Sequence, residues 1–242
     1  NPFAMPLGRK VAEEDICEAD VVIYVISRIS GEGKDRRKVK GDYYLSEREE
    51  EDLRYLAEMN KPVILILNAG GPVELTDILE QTDKIKGALN ISQLGQEGGD
   101  ALADVLPGKE VPGGKLTTTW ARRCEDYPAS EEYGYLNGNL EKEKYKEGIY
   151  VGYRYFDSFD KKVMFPFGFG LSYTMFEMKC CSINMEESKI RAEVQVTNTG
   201  NEYAGKEVVQ IYVTLPQTEL EKEYKRLAGF AKTRLLKPGE TQ

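Results

Sequence analysis

The residues best placed to do chemistry are Ile29-Ser30-Gly31-Glu32-Gly33-Lys34-Asp35-Arg36, directly after an apolar run at 19–27 (ADVVIYVIS). A glutamate between two glycines has no bulky neighbour, and the glycine backbone reaches conformations that other residues resist. Such a carboxylate can be thrust outward to give or take a proton in a cleft shared with another surface. The same letters superficially suggest a phosphate-binding loop, but the pattern G-x-x-x-x-G-K-[ST] fails twice. Arg28 stands where the leading glycine belongs, and Asp35 where the Ser or Thr belongs. On residues alone, a plain surface turn with an unremarkable acid stays open beside the catalytic reading.

Two further stretches invite the same question. Gly95-Gln96-Glu97-Gly98-Gly99 opens a helical pattern. Free amides there could receive an anion, or the glycines could let the helix start pack tightly on a sheet. Phe165-Pro166-Phe167-Gly168-Phe169-Gly170-Leu171-Ser172-Tyr173-Thr174 is rich in aromatics and reads as a hinge that packs one domain on another. Asn90-Ile91-Ser92 matches a glycosylation sequon but falls in an apolar run read as a buried strand, so it is taken as chance.

Composition narrows the chemistry. The 242 residues include no histidine, which removes Ser-His and Cys-His nucleophiles and the commonest zinc sites. Carboxylates, tyrosines, lysines and arginines must carry whatever reaction there is, and no cofactor or metal is called for. The four cysteines, Cys17, Cys124, Cys180 and Cys181, show no C-x-x-C spacing. They read as reduced thiols of an intracellular protein, which places it in the cytoplasm. A formal net charge of −8 disfavours nucleic acid as a partner, and the basic run from Lys34 to Lys38 reads as a solvated loop. No apolar run approaches the ~18 residues that cross a bilayer, so no membrane partner is expected.

The elements that must position Glu32 follow from periodicity. Up to about Ala121 apolar runs alternate with helical patterns, the mark of an α/β layer structure with a mostly parallel sheet. Residues 19–27 and 62–68 (PVILILN) read as strands buried on both faces, and residues 85–91 as a third. Ser46 opens a helix, with Glu49 three residues on completing a capping box and Leu53, Leu56 and Ala57 marking its apolar side. A short helix over 73–79 and another over 101–106 follow, and residues 115–120 are expected to close the sheet. This amounts to half of a doubly wound domain, so a preceding segment is expected outside the chain.

From Arg122 to about Gly148 the composition turns polar and acidic, which reads as an irregular linker. Beyond Ile149 the pattern is all-β: Ile190, Ala192, Val194 and Val196 alternate with polar residues, a turn follows at 198–201, and Val209, Ile211 and Val213 alternate again. This predicts an immunoglobulin or fibronectin-III-like sandwich. The expected division is therefore 1–121 α/β sandwich, 122–148 linker and 149–242 an incomplete fibronectin-III-like domain, with both ends of the chain cut from a longer polypeptide.

In order along the chain, Ser30-Gly31-Glu32-Gly33-Lys34-Asp35-Arg36, Gly95-Gln96-Glu97-Gly98-Gly99-Asp100-Ala101-Leu102, Pro112-Gly113-Gly114-Lys115-Leu116-Thr117, Glu147-Gly148-Ile149-Tyr150-Val151-Gly152-Tyr153-Arg154-Tyr155-Phe156, Phe165–Thr174 and Gly205-Lys206-Glu207-Val208-Val209-Gln210 resemble the C-terminal-type half of family-3 glycoside hydrolases. That group includes many β-glucosidases and β-xylosidases. The resemblance runs from about Ala19 to Gln242. It implies a retaining mechanism with an aspartate nucleophile on a (β/α)8 barrel and an acid/base glutamate reaching across from the α/β sandwich. The position that matches the acid/base motif is Glu32. The barrel, with its nucleophile and its sugar-binding lysine-histidine pair, has no counterpart here, so the resemblance implies that the chain alone hydrolyses nothing. Its expected partners are a β-linked oligosaccharide or glycoside and the missing barrel of the same polypeptide. A noncatalytic carbohydrate-binding or scaffolding module is the rival reading. Arg36 and Asp35 are expected to pair with each other or with the base of the loop, since a cation aimed at Glu32 would hold a general acid ionised.

Overall fold

Ser46 and Glu49 lock the start of the longest helix, α2 (Glu47–Glu58). Glu49 N donates to Ser46 Oγ at 3.2 Å, and Ser46 N donates to Glu49 Oε2 at 2.7 Å. Glu47, Glu49 and Glu50 in the first turn suit the positive end of the helix dipole. The helix stops at Asn60, whose φ of 57° is left-handed, while Asn60 N bonds Ala57 O and Lys61 N bonds Leu56 O, each at 3.0 Å. Leu53 and Leu56 form its buried stripe, each contributing about 1.5–3 kcal/mol by leaving water.

The computed structural model describes residues 9–29, 36–133, 141–142, 144–187 and 189–242. They form two units, the first spanning Asn1–Gln96 with Ala121–Lys144, the second Glu97–Trp120 with Tyr145–Gln242. The first is α/β. Strands β1 (Val22–Ser27), β2 (Val63–Asn68) and β3 (Ile85–Asn90) pair in parallel in that order, with Val22 opposite Val63 and Leu67 opposite Asn90. Short helices α1 (Glu13–Ile16) and α3 (Thr76–Gln81) complete its regular structure, followed by 3-10 turns at Cys124–Asp126 and Ser130–Glu132.

Only β2 meets the expectation of burial on both faces, its Leu65 and Ile66 being fully enclosed. In β1, Ile26 is fully buried, yet Ile23 and Val25 are about half exposed, at 49% and 51%. β1 is an edge strand of this sheet. Its Tyr24 side faces α2, where the Tyr24 hydroxyl donates to Asp52 Oδ2 at 3.1 Å. Alternation sends Ile23 and Val25 to the other, open face. Asn90 is exposed at the end of β3, which corrects its expected burial. Residues 115–120 do not close the parallel sheet either. Regular structure begins only at Trp120 in β4 (Trp120–Ala121), and the Trp120 ring lies 6.0 Å from Phe165 of β5 (Val163–Phe165). What holds this stretch is a pair of backbone bonds, Leu116 N to Phe169 O and Gly168 N to Leu116 O, both 2.8 Å.

The second unit contains helices α4 (Gly98–Val105) and α5 (Tyr153–Ser158) and two antiparallel hairpins, β6 (Phe176–Glu186) with β7 (Lys189–Asn198) and β8 (Val208–Val213) with β9 (Arg226–Lys232). Alternating β7 and β8 residues are the strands expected of a fibronectin-III-like region. In the first hairpin a bulge between Cys180 and Ser182 resets the alternation. As a result Phe176, Met178 and Cys180 before it, and Ile183 and Met185 after it, share the face of Val196, Val194, Ala192 and Ile190. At the base of this ribbon Asn198 is fully buried. It accepts from Thr174 Oγ1 (2.7 Å) and Gly200 N (3.0 Å) and donates to the carbonyls of Tyr203 (2.9 Å) and Leu236 (2.8 Å).

Candidate functional site: the clasped segment after strand β1

Glu32 belongs to residues 30–35, which lie outside the described residues; both flanks of that segment are described. Its leading flank continues β1 by one bond, Arg28 N to Asn68 O at 3.0 Å, so the segment leaves the sheet at the carboxyl end of a parallel strand. This is where open α/β sheets present their ligand loops.

Arg28 is 6% exposed, and a buried charge needs a partner. Its Nη1 and Nη2 donate to Glu49 Oε1 and Oε2, both at 2.7 Å, a two-pronged pairing that planar guanidinium and carboxylate groups suit. Nε donates to Asp42 O at 2.6 Å, Nη1 also to Ser27 O at 2.9 Å, and Nη2 also to Tyr44 O at 3.2 Å. Glu49 thereby serves both the capping box of α2 and the arginine of the leading flank.

On the trailing flank Arg36 donates from Nε to Asp42 Oδ1 (2.9 Å), from Nη1 to Pro72 O (2.6 Å) and from Nη2 to Asp42 O (2.6 Å), with its guanidinium 6.0 Å from the Tyr43 ring centre. Arg37 N donates to the other Asp42 oxygen at 2.8 Å. Arg36 is thus paired within the base of the loop, one of the two arrangements expected for it; Asp35 and Lys34 lie outside the described residues. Gly41, at φ 80°, makes the tight turn that brings Asp42 under both flanks, its N–H bonding Tyr44 O at 3.0 Å.

Beneath the clasp lies a polar-aromatic layer. Burial raises the Tyr43 and Tyr127 phenols above their ordinary range, and Tyr127 Oη accepts Ala121 N at 3.1 Å. Cys124 is buried and its thiol is pushed up by that burial, which makes it a packing residue rather than a nucleophile. Its N–H donates to Glu74 Oε2 at 2.8 Å, and Glu74 pairs with Arg123 at 3.1 Å. No group of three or more His, Cys, Asp or Glu able to hold a metal occurs among the described residues.

Of the other sequence candidates, only the aromatic stretch resolves into scaffold. A Cβ added at Gly95 or Gly99 would meet no atom within 4 Å, so close packing does not account for those glycines, and α4 receives no side-chain cap. In the aromatic stretch Phe165 stacks on Phe169 at 5.1 Å, while Lys115 Nζ bonds Gly170 O at 2.6 Å and Glu207 Oε1 at 2.7 Å, both charged side chains being largely buried. Sequence reasoning passed over Arg28, Asp42 and Glu49 as parts of the site. The available signal was a charged residue closing a continuous apolar strand, since such a charge must find a carboxylate.

Comparison with known proteins agrees with this layout. The model described as Glycosyl hydrolase family 3 C-terminal domain matches residues 7–153, and the one described as Fibronectin type III-like domain matches residues 207–242. The curated "Beta-glucosidase A" of Butyrivibrio fibrisolvens is 40% identical over 264 residues, covering 93% of this chain and 31% of that protein. The "Beta-glucosidase" of Ruminococcus albus is 36% identical, covering 98% of this chain and 24% of its own length. Among solved structures, beta-glucosidase 3B from Thermotoga neapolitana in complex with glucose superposes with a TM-score of 0.85 at 44% identity, covering 92% of this chain and 31% of that one. A beta-glucosidase from Paenibacillus barengoltzii gives 0.90 at 38% identity, over 98% and 26%. The chain therefore spans 24–31% of these two curated relatives. With a family model covering more than half of its residues and with both parts of its fold matched, the chain belongs to glycosyl hydrolase family 3.

Proposed function

We propose that this chain supplies Glu32 as the general acid/base of a retaining, exo-acting β-glucoside hydrolase whose nucleophile is carried on a (β/α)8 barrel elsewhere in the polypeptide. In the first half-reaction the Glu32 carboxyl gives its proton to the departing glycosidic oxygen as the nucleophile takes C1. In the second its carboxylate takes a proton from the water that releases the sugar. The observation that supports this reading best is the pairing of the guanidinium groups nearest the segment on each side, Arg28 with Glu49 and Arg36 with Asp42. Their charge is matched within the protein, which favours a carboxyl able to hold a proton. The named activity of the relatives supports glucosides as the substrate class. Four free thiols, two of them on adjacent residues, support a reducing compartment, the cytoplasm.

The test is Glu32→Ala in the full-length protein. Turnover of cellobiose, whose leaving group needs a proton, should fall ~10²–10⁴-fold. Turnover of 2,4-dinitrophenyl β-glucoside, whose leaving group does not, should fall far less in its first step. Equal losses on both would remove the acid role. Tight binding of cello-oligosaccharides to the 242-residue chain by itself, measured by isothermal titration, would instead favour a noncatalytic carbohydrate-binding module.

A further inference from the structure

An acid/base residue works only if its segment is held in place, and here both ends of the segment converge on one side chain and its own carbonyl. We propose that Asp42 is the positioning residue for Glu32, a single clasp that fixes the points where the chain leaves for residues 30–35 and returns from them; this rests on the acid/base reading of Glu32. The carboxylate of Asp42 divides its two oxygens between Arg36 Nε (2.9 Å) and Arg37 N (2.8 Å), both on the trailing side. The carbonyl of Asp42 receives Arg28 Nε from the leading side and Arg36 Nη2 from the trailing side, both at 2.6 Å.

Three features mark this as more than ordinary packing. First, the leading anchor is itself braced, because Arg28 is clamped by Glu49 and through it by the first turn of α2. Second, both anchoring ion pairs are sheltered: Arg28 and Glu49 are 4% and 14% exposed, and Arg36 and Asp42 are 11% and 20%. Charge-assisted bonds away from water hold their geometry better than surface pairs do. Third, Asp42 is the one described residue that bonds both flanks: its carbonyl bridges them and its carboxylate fixes the trailing flank against that bridge, so losing the carboxylate frees the trailing end relative to the leading one. Fixing the two ends of a short loop removes much of its conformational freedom, and a displacement of about 1 Å at a reacting group can cost ~10²-fold.

The experiment uses the full-length protein with Asp42→Ala and Asp42→Asn beside Glu32→Ala. Rates are normalised to active sites counted with a 2-deoxy-2-fluoro-glucoside that traps the nucleophile. Per site, Asp42→Ala should lose ~10–10²-fold more on cellobiose than on 2,4-dinitrophenyl β-glucoside. Added azide attacks C1 of the glycosyl-enzyme without needing a base, forming the C–N bond as the enzyme carboxylate leaves. It should therefore raise aryl glucoside turnover in Asp42→Ala and in Glu32→Ala but not in the parent. Asp42→Asn retains an oxygen for one of the two donors and should fall between parent and alanine variant.

If Asp42 only supports the fold, losses per counted site will be equal on both substrates and azide will have no effect, which overturns the proposal. Should Asp42→Ala fail to fold, the same two readouts on Asp42→Asn decide it. If Glu32→Ala itself shows no dependence on the leaving group, the acid/base reading falls and takes the clasp with it. If Glu32→Ala shows that dependence and the Asp42 variants do not, only the role of Asp42 falls.

Discussion

Arg28 and Glu49 meet through two bonds of 2.7 Å across 21 positions of sequence, with side chains 4% and 14% exposed. Removing one member of such a pair strands the other as an uncompensated charge, which costs about 3–5 kcal/mol. Glu49→Ala additionally takes away half of the α2 capping box and should sit at the upper end of that range. Glu49→Gln keeps an oxygen for Ser46 N and should cost less. Urea unfolding of each variant measures the difference. A double variant Arg28→Met/Glu49→Leu that is as unstable as either single change would contradict the stranded-charge account.

Gly170 offers a second prediction. A Cβ there would clash with the backbone oxygen of Gly114, a contact that only backbone movement can relieve. Gly170→Ala should therefore cost about 1–3 kcal/mol and loosen the bond from Lys115 Nζ to Gly170 O. Gly229→Ala, in β9, would meet nothing within 4 Å and should be neutral or slightly stabilising, since alanine has less freedom to lose. Thermal unfolding of the two variants, side by side, separates steric cost from the general effect of replacing glycine.

The buried phenols set the response to alkali. Burial raises the Tyr43 value, with Tyr127 adding to it, and Tyr24 and Tyr44 are raised by burial as well. In the unfolded chain a tyrosine gives up its proton near pH ~10, whereas the folded protein retains it. Above that pH the folded state binds more protons, so the contribution to stability, fully present below pH ~10, declines as pH rises, by up to ~1.4 kcal/mol per pH unit for Tyr43 and by less for the more exposed phenols. Tyr43→Phe should flatten the fall in stability between about pH 10 and 11 while leaving the carboxylate-driven acid limb unchanged. Denaturation curves across that range, with absorbance at 295 nm to follow phenolate, check the sign. An unaltered slope would contradict it.

Local signals were readable in the sequence. Ser46-x-x-Glu49 announced the start of α2, the apolar runs announced the three parallel strands, and the alternation at 190–196 announced β7. Long-range complementarity was not readable. Nothing adjacent in sequence says that Arg28 will take Glu49, or that Asp42 will receive donors from both 28 and 36, because the turn at Gly41 and the start of α2 create those meetings only in three dimensions. β6 was hidden for a simpler reason: its apolar residues run 176, 178, 180 and then 183, 185, so the period-two signal cancels itself. The open side of β1 was hidden because a continuous apolar run does not reveal which of its faces is covered.

The extra residue at Cys181 also makes the β6–β7 ribbon behave like a zip with two phases. Deleting that one amino acid would leave a plain ladder with every face as it is, whereas forcing Cys181 to pair without a bulge would swing Ser182, Asn184 and Glu186 to the oily side and Ile183 and Met185 to the opposite one. At this position the bulge, by taking up one residue, rather than side-chain identity, decides which surface is greasy.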